Sequence, residues 1–160
     1  MTSTPLPAPT GRVWFVTGAS TGFGRAFAEH ALERGHSVAA TARDPGRLAD
    51  LVALAPDRVA AIILDVDRPG AADVAVVEAV ARFGRLDVVI DNAGFGSVGA
   101  VEETSDAELR AQFETNFFGA AAVIRAVLPT LRAQGSGAIV AVTSMGGQVS
   151  YPGFGSYCAS

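Results

Sequence analysis

The run Thr17-Gly18-Ala19-Ser20-Thr21-Gly22-Phe23-Gly24 stands between a short apolar segment, Val13 to Val16, and an amphipathic stretch from Gly24 to Arg34 that Gly35 ends. Apolar run, glycine turn, amphipathic stretch and closing glycine read as strand, turn, helix and C-cap. This order narrows the possible folds more than any other feature, because each glycine has a separate task in it. Gly18 permits the tight turn, Gly22 lets backbone come close to a pyrophosphate, and Gly24 lets the helix pack on the strand. The helix N-terminus then directs N–H groups at phosphate oxygens. No Gly-Lys-Ser/Thr follows, which excludes a Walker phosphate loop.

The same unit recurs along the chain. Further strands are expected at Ser37 to Thr41, Val59 to Leu64, Leu86 to Ile90 and Gly137 to Thr143. Between them lie helices at Gly46 to Leu54, Ala71 to Phe83 and Asp106 to Ala133, the last bent near Asn116. Continuous apolar strands alternating with helices give an α/β fold whose parallel sheet is covered on both faces. Right-handed crossovers order five strands 3-2-1-4-5, a Rossmann-type doubly wound sheet, incomplete at that count. The ligand crevice is expected at the C-terminal edge, between strands 1 and 4, where the winding reverses. From Phe154 the residues read as the first turn of a helix that Ser160 leaves unfinished. The expectation is therefore one dinucleotide-binding domain over residues 11–160, truncated on its C-terminal side, behind a disordered leader at residues 1–10.

Composition restricts the ligand. A formal charge of −4 with no basic cluster gives no attraction to phosphate backbones or anionic lipid, so neither nucleic acid nor a membrane surface is the expected partner. There is no 18-residue apolar run, and residues 1–10 have neither a positive n-region nor an apolar h-region. Small-molecule chemistry remains. All twelve cationic side chains are Arg and none is Lys, while a single cysteine, Cys158, fits a reducing cytoplasm.

The spacing Thr-Gly-x3-Gly-x-Gly is followed in order by Asp91-Asn92-Ala93-Gly94, Asn116, Ser144 and Tyr157. Together these motifs resemble the short-chain dehydrogenase/reductase family, and the likeness runs from Arg12 to Ser160. Asp91 departs from the family's Asn-Asn-Ala-Gly signature. The resemblance implies cofactor contacts from Gly18, Ser20, Thr21, Gly22, Phe23 and Gly24, from Asn92, Ala93 and Gly94, and from Asp65 and Val66 beside the adenine. Asp65 reads equally well as a helix-capping carboxylate. At the end of strand 2, an acidic residue would bind a ribose 2′-hydroxyl and an arginine a 2′-phosphate. Ala42 occupies the acidic slot and Arg43 follows it, so NADP(H) is preferred over NAD(H), although Asp44 complicates the reading.

The resemblance also implies a catalytic set of Asn116, Ser144 and Tyr157. In the family, Tyr exchanges the proton, Ser hydrogen-bonds the substrate oxygen, and Asn steadies a water and the bent helix. A Lys four residues after Tyr, here the position after Ser160, lowers the Tyr pKa and binds the nicotinamide ribose. A phenol titrating near about 10 is a poor base at neutral pH without such a cation. The expected function is NADP(H)-dependent oxidoreduction between an alcohol and a carbonyl compound, with no metal, in a full-length protein that is a homo-oligomer. A non-catalytic dinucleotide-binding or interaction domain is the alternative. In the family, dimers pair the long helix with the helix begun by Tyr157, which predicts partial exposure of Phe117, Phe118 and Val123. His30 and His36 should lie away from the crevice, and the apolar stretch Gly146 to Gly155 leans toward a lipophilic carbonyl substrate.

Overall fold

Short apolar runs form the strands β1 (Val13–Val16), β2 (Ser37–Ala42), β3 (Val59–Ile63), β4 (Val88–Asp91) and β5 (Ala138–Ala141) in a computed structural model that describes residues 11–160. The leader expected at residues 1–10 lies outside the described residues. All pairings are parallel and the order is β3-β2-β1-β4-β5, the doubly wound arrangement that right-handed crossovers demand. β2 is buried along its whole length, as a central strand covered on both faces must be.

Helices α1 (Gly22–Glu33), α2 (Ala49–Leu54), α3 (Ala71–Phe83), α4 (Asp106–Phe113), α5 (Ala120–Gln134) and α6 (Gly155–Ala159) alternate with the strands. Two separate cores result. Val16, Ala28, Ala31, Val38, Leu48 and Leu51 pack on one face of the sheet, where α1 and α2 lie. On the other, Phe15, Ile62, Val76, Leu86, Val89 and Val127 pack beneath α3 and α5. Glycines in the left-handed region close α3 at Gly84 and α5 at Gly135.

Several boundaries differ from the sequence expectation. α1 starts at Gly22 rather than Gly24, β5 is shorter than Gly137 to Thr143, and the segment before α2 is a 3₁₀ turn at Pro45–Leu48 capped by the Asp44 carboxylate. The long helix is not simply bent. A π-helical segment, Glu114–Gly119, separates α4 from α5 and contains Asn116. The wider π turn changes the helical phase, so α5 directs Val123, Val127 and Leu131 into the core. This corrects the expectation for Val123, which is fully buried, whereas Phe117 and Phe118 remain half exposed as an edge-to-face pair.

Candidate active site

β1 and β4 are tied together at their C-terminal ends by one hydroxyl. Thr17 Oγ1 accepts from the backbone N–H groups of Asn92 and Ala93, at 2.8 and 2.9 Å. The hydroxyl can itself donate to Asp91 Oδ1, 3.3 Å away, or to the Ile90 carbonyl at 3.5 Å. Asn92 Nδ2 returns the link by donating to the Thr17 carbonyl at 2.9 Å. The Asp91 carboxyl is buried, and burial pushes its pKa up to about 6 against the opposing Thr17 hydroxyl. Its second oxygen, Oδ2, has no hydrogen-bond partner among the described residues.

Above this junction a cleft of about 1060 Å³ crosses the C-terminal edge of the sheet. Gly18, Ser20, Thr21, Gly22 and Phe23 line it, as do Arg43, Asp65, Val66, Asn92, Ala93, Gly94, Asn116, Ser144 and Tyr157. Gly24 does not. A Cβ there would fall 2.6 Å from Asn92 Nδ2 and closer still to the Gly18 carbonyl oxygen, so this position belongs to the contact between helix and strand. Gly22 behaves differently: its φ of +57° favours glycine, and a Cβ would meet nothing within 4 Å. Such an open backbone at the start of a helix is the cradle that a pyrophosphate requires.

Arg43 and Arg47 both line the cleft and are exposed, whereas the intervening Asp44 is turned away, its Oδ1 accepting from Gly46 N at 2.9 Å. Asp65 is engaged in its own turn, through a weak 3.4 Å contact from Asp67 N and a 3.5 Å pair with Arg68. It does not cap α3, whose N-cap is Gly70.

On the other side, the ring of Tyr157 lies between two glycine backbones. A Cβ at Gly96 would be 3.3 Å from Tyr157 Cδ2, and one at Gly146 would be 3.3 Å from Tyr157 Cε1. The same Gly146 position is 3.4 Å from Ser144 Oγ, so hydroxyl and phenol converge on one small volume. Ser144 Oγ accepts from Gly146 N at 3.1 Å. A smaller cavity of about 220 Å³ opens beside this pair, with Met145, Tyr151 and Phe154 in its walls. Asn116 reaches the same region from the π segment. Its Oδ1 accepts from Phe95 N at 3.0 Å, and its Nδ2 donates to Phe95 O at 2.9 Å and to Ser160 Oγ at 3.0 Å.

His30 and His36 are absent from the lining: His36 stacks on Trp14 and accepts from Arg12 N, and His30 faces Glu33 at 4.0 Å. Among the described residues no cluster of His, Cys, Asp or Glu is placed to hold a metal, and no helix is long and apolar enough to cross a membrane. The sequence assigned no side-chain role to Thr17, which entered only as part of the glycine motif, and none to Arg47 or Gln112. Gln112 had one available signal, its place one helical turn before Asn116.

Comparison with known proteins agrees with this arrangement. The family model described as short chain dehydrogenase matches residues 12–160. The oxidoreductase BOA17 of Botryotinia fuckeliana is 45% identical over 147 residues, covering 91% of this chain and 54% of that protein. A short-chain dehydrogenase structure from Streptomyces avermitilis superposes with a TM-score of 0.89 at 51% identity, covering 94% of this chain and 55% of that one. A short chain dehydrogenase/reductase from Burkholderia phymatum in complex with NAD gives 0.88 at 32% identity, over 93% and 54% of the two chains. The chain thus spans about half the length of the curated relatives it matches.

Proposed function

Because the chain belongs to the short-chain dehydrogenase/reductase family, we propose that its protein interconverts an alcohol and a carbonyl compound, using NADP(H) in preference to NAD(H). The reading rests on the convergence of Ser144 and Tyr157 in the cleft that the glycine turn also lines. A dinucleotide fits this cleft by three local properties: the open Gly22 cradle, the exposed Arg43 and Arg47 at one end, and the hydroxyl pair at the other. A nicotinamide dinucleotide held by these residues would supply the hydride donor or acceptor.

The residues of the chain supply the remainder. Gly18 to Phe23 present backbone N–H groups to phosphates, and Arg43 matches a 2′-phosphate by charge-assisted hydrogen bonds. Ser144 holds the substrate oxygen, and Tyr157 gives that oxygen its proton in reduction or removes it in oxidation. Asn116 fixes the loop after β4 by gripping both polar atoms of the Phe95 backbone. The apolar walls of the smaller cavity favour a lipophilic substituent next to the carbonyl. The half-exposed Phe117 and Phe118 suit a homo-oligomer contact, and a single cysteine suits a reducing cytoplasm.

The test follows NADPH oxidation by the full-length protein with a panel of ketones and aldehydes, beside its Tyr157→Phe variant. Turnover that the variant loses by about 10²- to 10⁴-fold is expected, as for removal of general acid–base assistance. Undiminished turnover by the Phe variant overturns the mechanism. Cofactor binding without turnover of any carbonyl compound would favour the non-catalytic alternative.

A further inference from the structure

Gln112 is the one large polar side chain with no exposure at all among the described residues, and every hydrogen bond it makes goes to a single loop. Its Nε2 donates to Phe95 O at 2.8 Å, and its Oε1 accepts from Ser97 N at 3.0 Å and from the Ser97 hydroxyl. One helical turn on, Asn116 holds the N–H and shares the carbonyl of Phe95. The backbone of residues 95 to 97 is thereby fixed from below at both ends. Gly96, in the middle, is the backbone against which Tyr157 Cδ2 and Cε2 lie, with its Cβ position 3.3 and 3.5 Å from them. Ser97 Oγ continues the chain of contacts to Ser156 Oγ, 3.3 Å away and one residue before Tyr157.

From this connectivity we infer that Gln112 is a positioning residue for Tyr157, acting through the Phe95–Ser97 loop on the ring and through Ser97 and Ser156 on the start of α6. Burial of an amide is unfavourable unless its donors and acceptors are matched, and here they are matched by the segment that the Tyr157 ring touches. An apolar side chain of the same length would fill the volume and leave the loop free to shift by fractions of an ångström. Displacement of a proton-transfer group by about 1 Å costs up to roughly 10²-fold in rate. The inference rests on the proposed role of Tyr157 as the proton-exchanging group.

The experiment is a double-mutant cycle in the full-length protein: parent, Gln112→Met, Tyr157→Phe and the double variant. Steady-state carbonyl reduction is measured alongside NADPH titration by fluorescence. Gln112→Met should lower kcat by roughly 10- to 100-fold, with NADPH affinity within about 2-fold of the parent, and should cause no further loss in the Tyr157→Phe background. An unchanged kcat, an equal loss in both backgrounds, or a loss confined to cofactor affinity overturns the inference and leaves the proposed function standing. Full turnover by Tyr157→Phe alone overturns the proposed function instead. If Gln112→Met does not fold, Ser97→Ala decides, because it removes only the hydroxyl link to Gln112 and Ser156. It should reduce kcat by about 3- to 10-fold in a Tyr157-dependent way, and an unchanged kcat overturns the inference.

Discussion

At the scale of single residues, the proposed cofactor preference and the pH response rest on two side chains whose neighbours are unusual. Arg43 lines the cleft while the adjacent carboxylate of Asp44 is committed to the Gly46 N–H, so Asp44 is not turned toward a 2′-phosphate at that corner. Arg43→Ala should therefore weaken NADPH binding by about 10- to 100-fold, the worth of a charge-assisted hydrogen bond, and leave NADH nearly unchanged. Equal affinity of the parent for the two cofactors, in a calorimetric titration, would refute the assignment. Asp91 acts through protons. Burial raises its carboxyl from 3.8 to about 6. The folded state thus holds this proton more tightly than the unfolded state. Stability is greatest at low pH with respect to this group, falls as pH rises from about 4 to about 6, and stays lower above that by up to about 3 kcal/mol. Asp91→Asn, the residue of the family signature, should gain stability in urea unfolding at pH 8 and gain little at pH 4. A gain independent of pH would show that the charge is not the cause.

The elements themselves were largely legible in the sequence, and for a definite reason. A parallel strand covered on both faces must be apolar at consecutive positions, so the runs Val13 to Val16 and Val88 to Ile90 stand out, the second inside the strand expected at Leu86 to Ile90, and left-handed glycines such as Gly84 mark where helices stop. The π segment at Glu114–Gly119 was not legible. It coincides with the packing of Gly119 on Val66, where a Cβ would be 2.8 Å from Val66 Cγ2, and with the Asn116 grip on Phe95. Both are contacts between distant parts of the chain. Gln112 was missed for the same reason, since a glutamine in a helix ordinarily faces water. The two glycines of the first turn give a test at this scale. Gly24→Ala forces a methyl into the Gly18 carbonyl and should cost about 1–3 kcal/mol or more of stability. Gly22→Ala has open space and should lose only about 1–2 kcal/mol from its backbone conformation, yet lose dinucleotide binding. Similar thermal shifts together with intact binding in both variants would contradict this division of tasks.

For the molecule as a whole, the sheet brings to one edge what the sequence keeps far apart: the turn at Gly18, the arginine after β2, the Asn92 junction and the pair Ser144 and Tyr157. What it does not bring there is a lysine ammonium, because all twelve of the chain's Lys and Arg residues are Arg. Among the described residues, Arg25, Arg68 and Arg85 are held in ion pairs with carboxylates, and Arg58 and Arg82 donate to backbone carbonyls. The two arginines that line the cleft, Arg43 and Arg47, come from the region after β2 rather than from the side where Tyr157 lies. A phenol exchanges its proton efficiently near neutral pH only when a neighbouring cation stabilises the phenolate. The 160-residue chain on its own should therefore bind NADPH yet reduce ketones and aldehydes at least about 10²-fold more slowly than a longer chain in which a lysine follows Ser160. Replacing that lysine by methionine in the longer chain should return the rate toward that of the short one, with the NADPH complex still detectable by fluorescence. Robust turnover by the 160-residue chain, measured as NADPH oxidation in parallel with the longer chain, would mean that proton transfer at Tyr157 does not depend on a lysine.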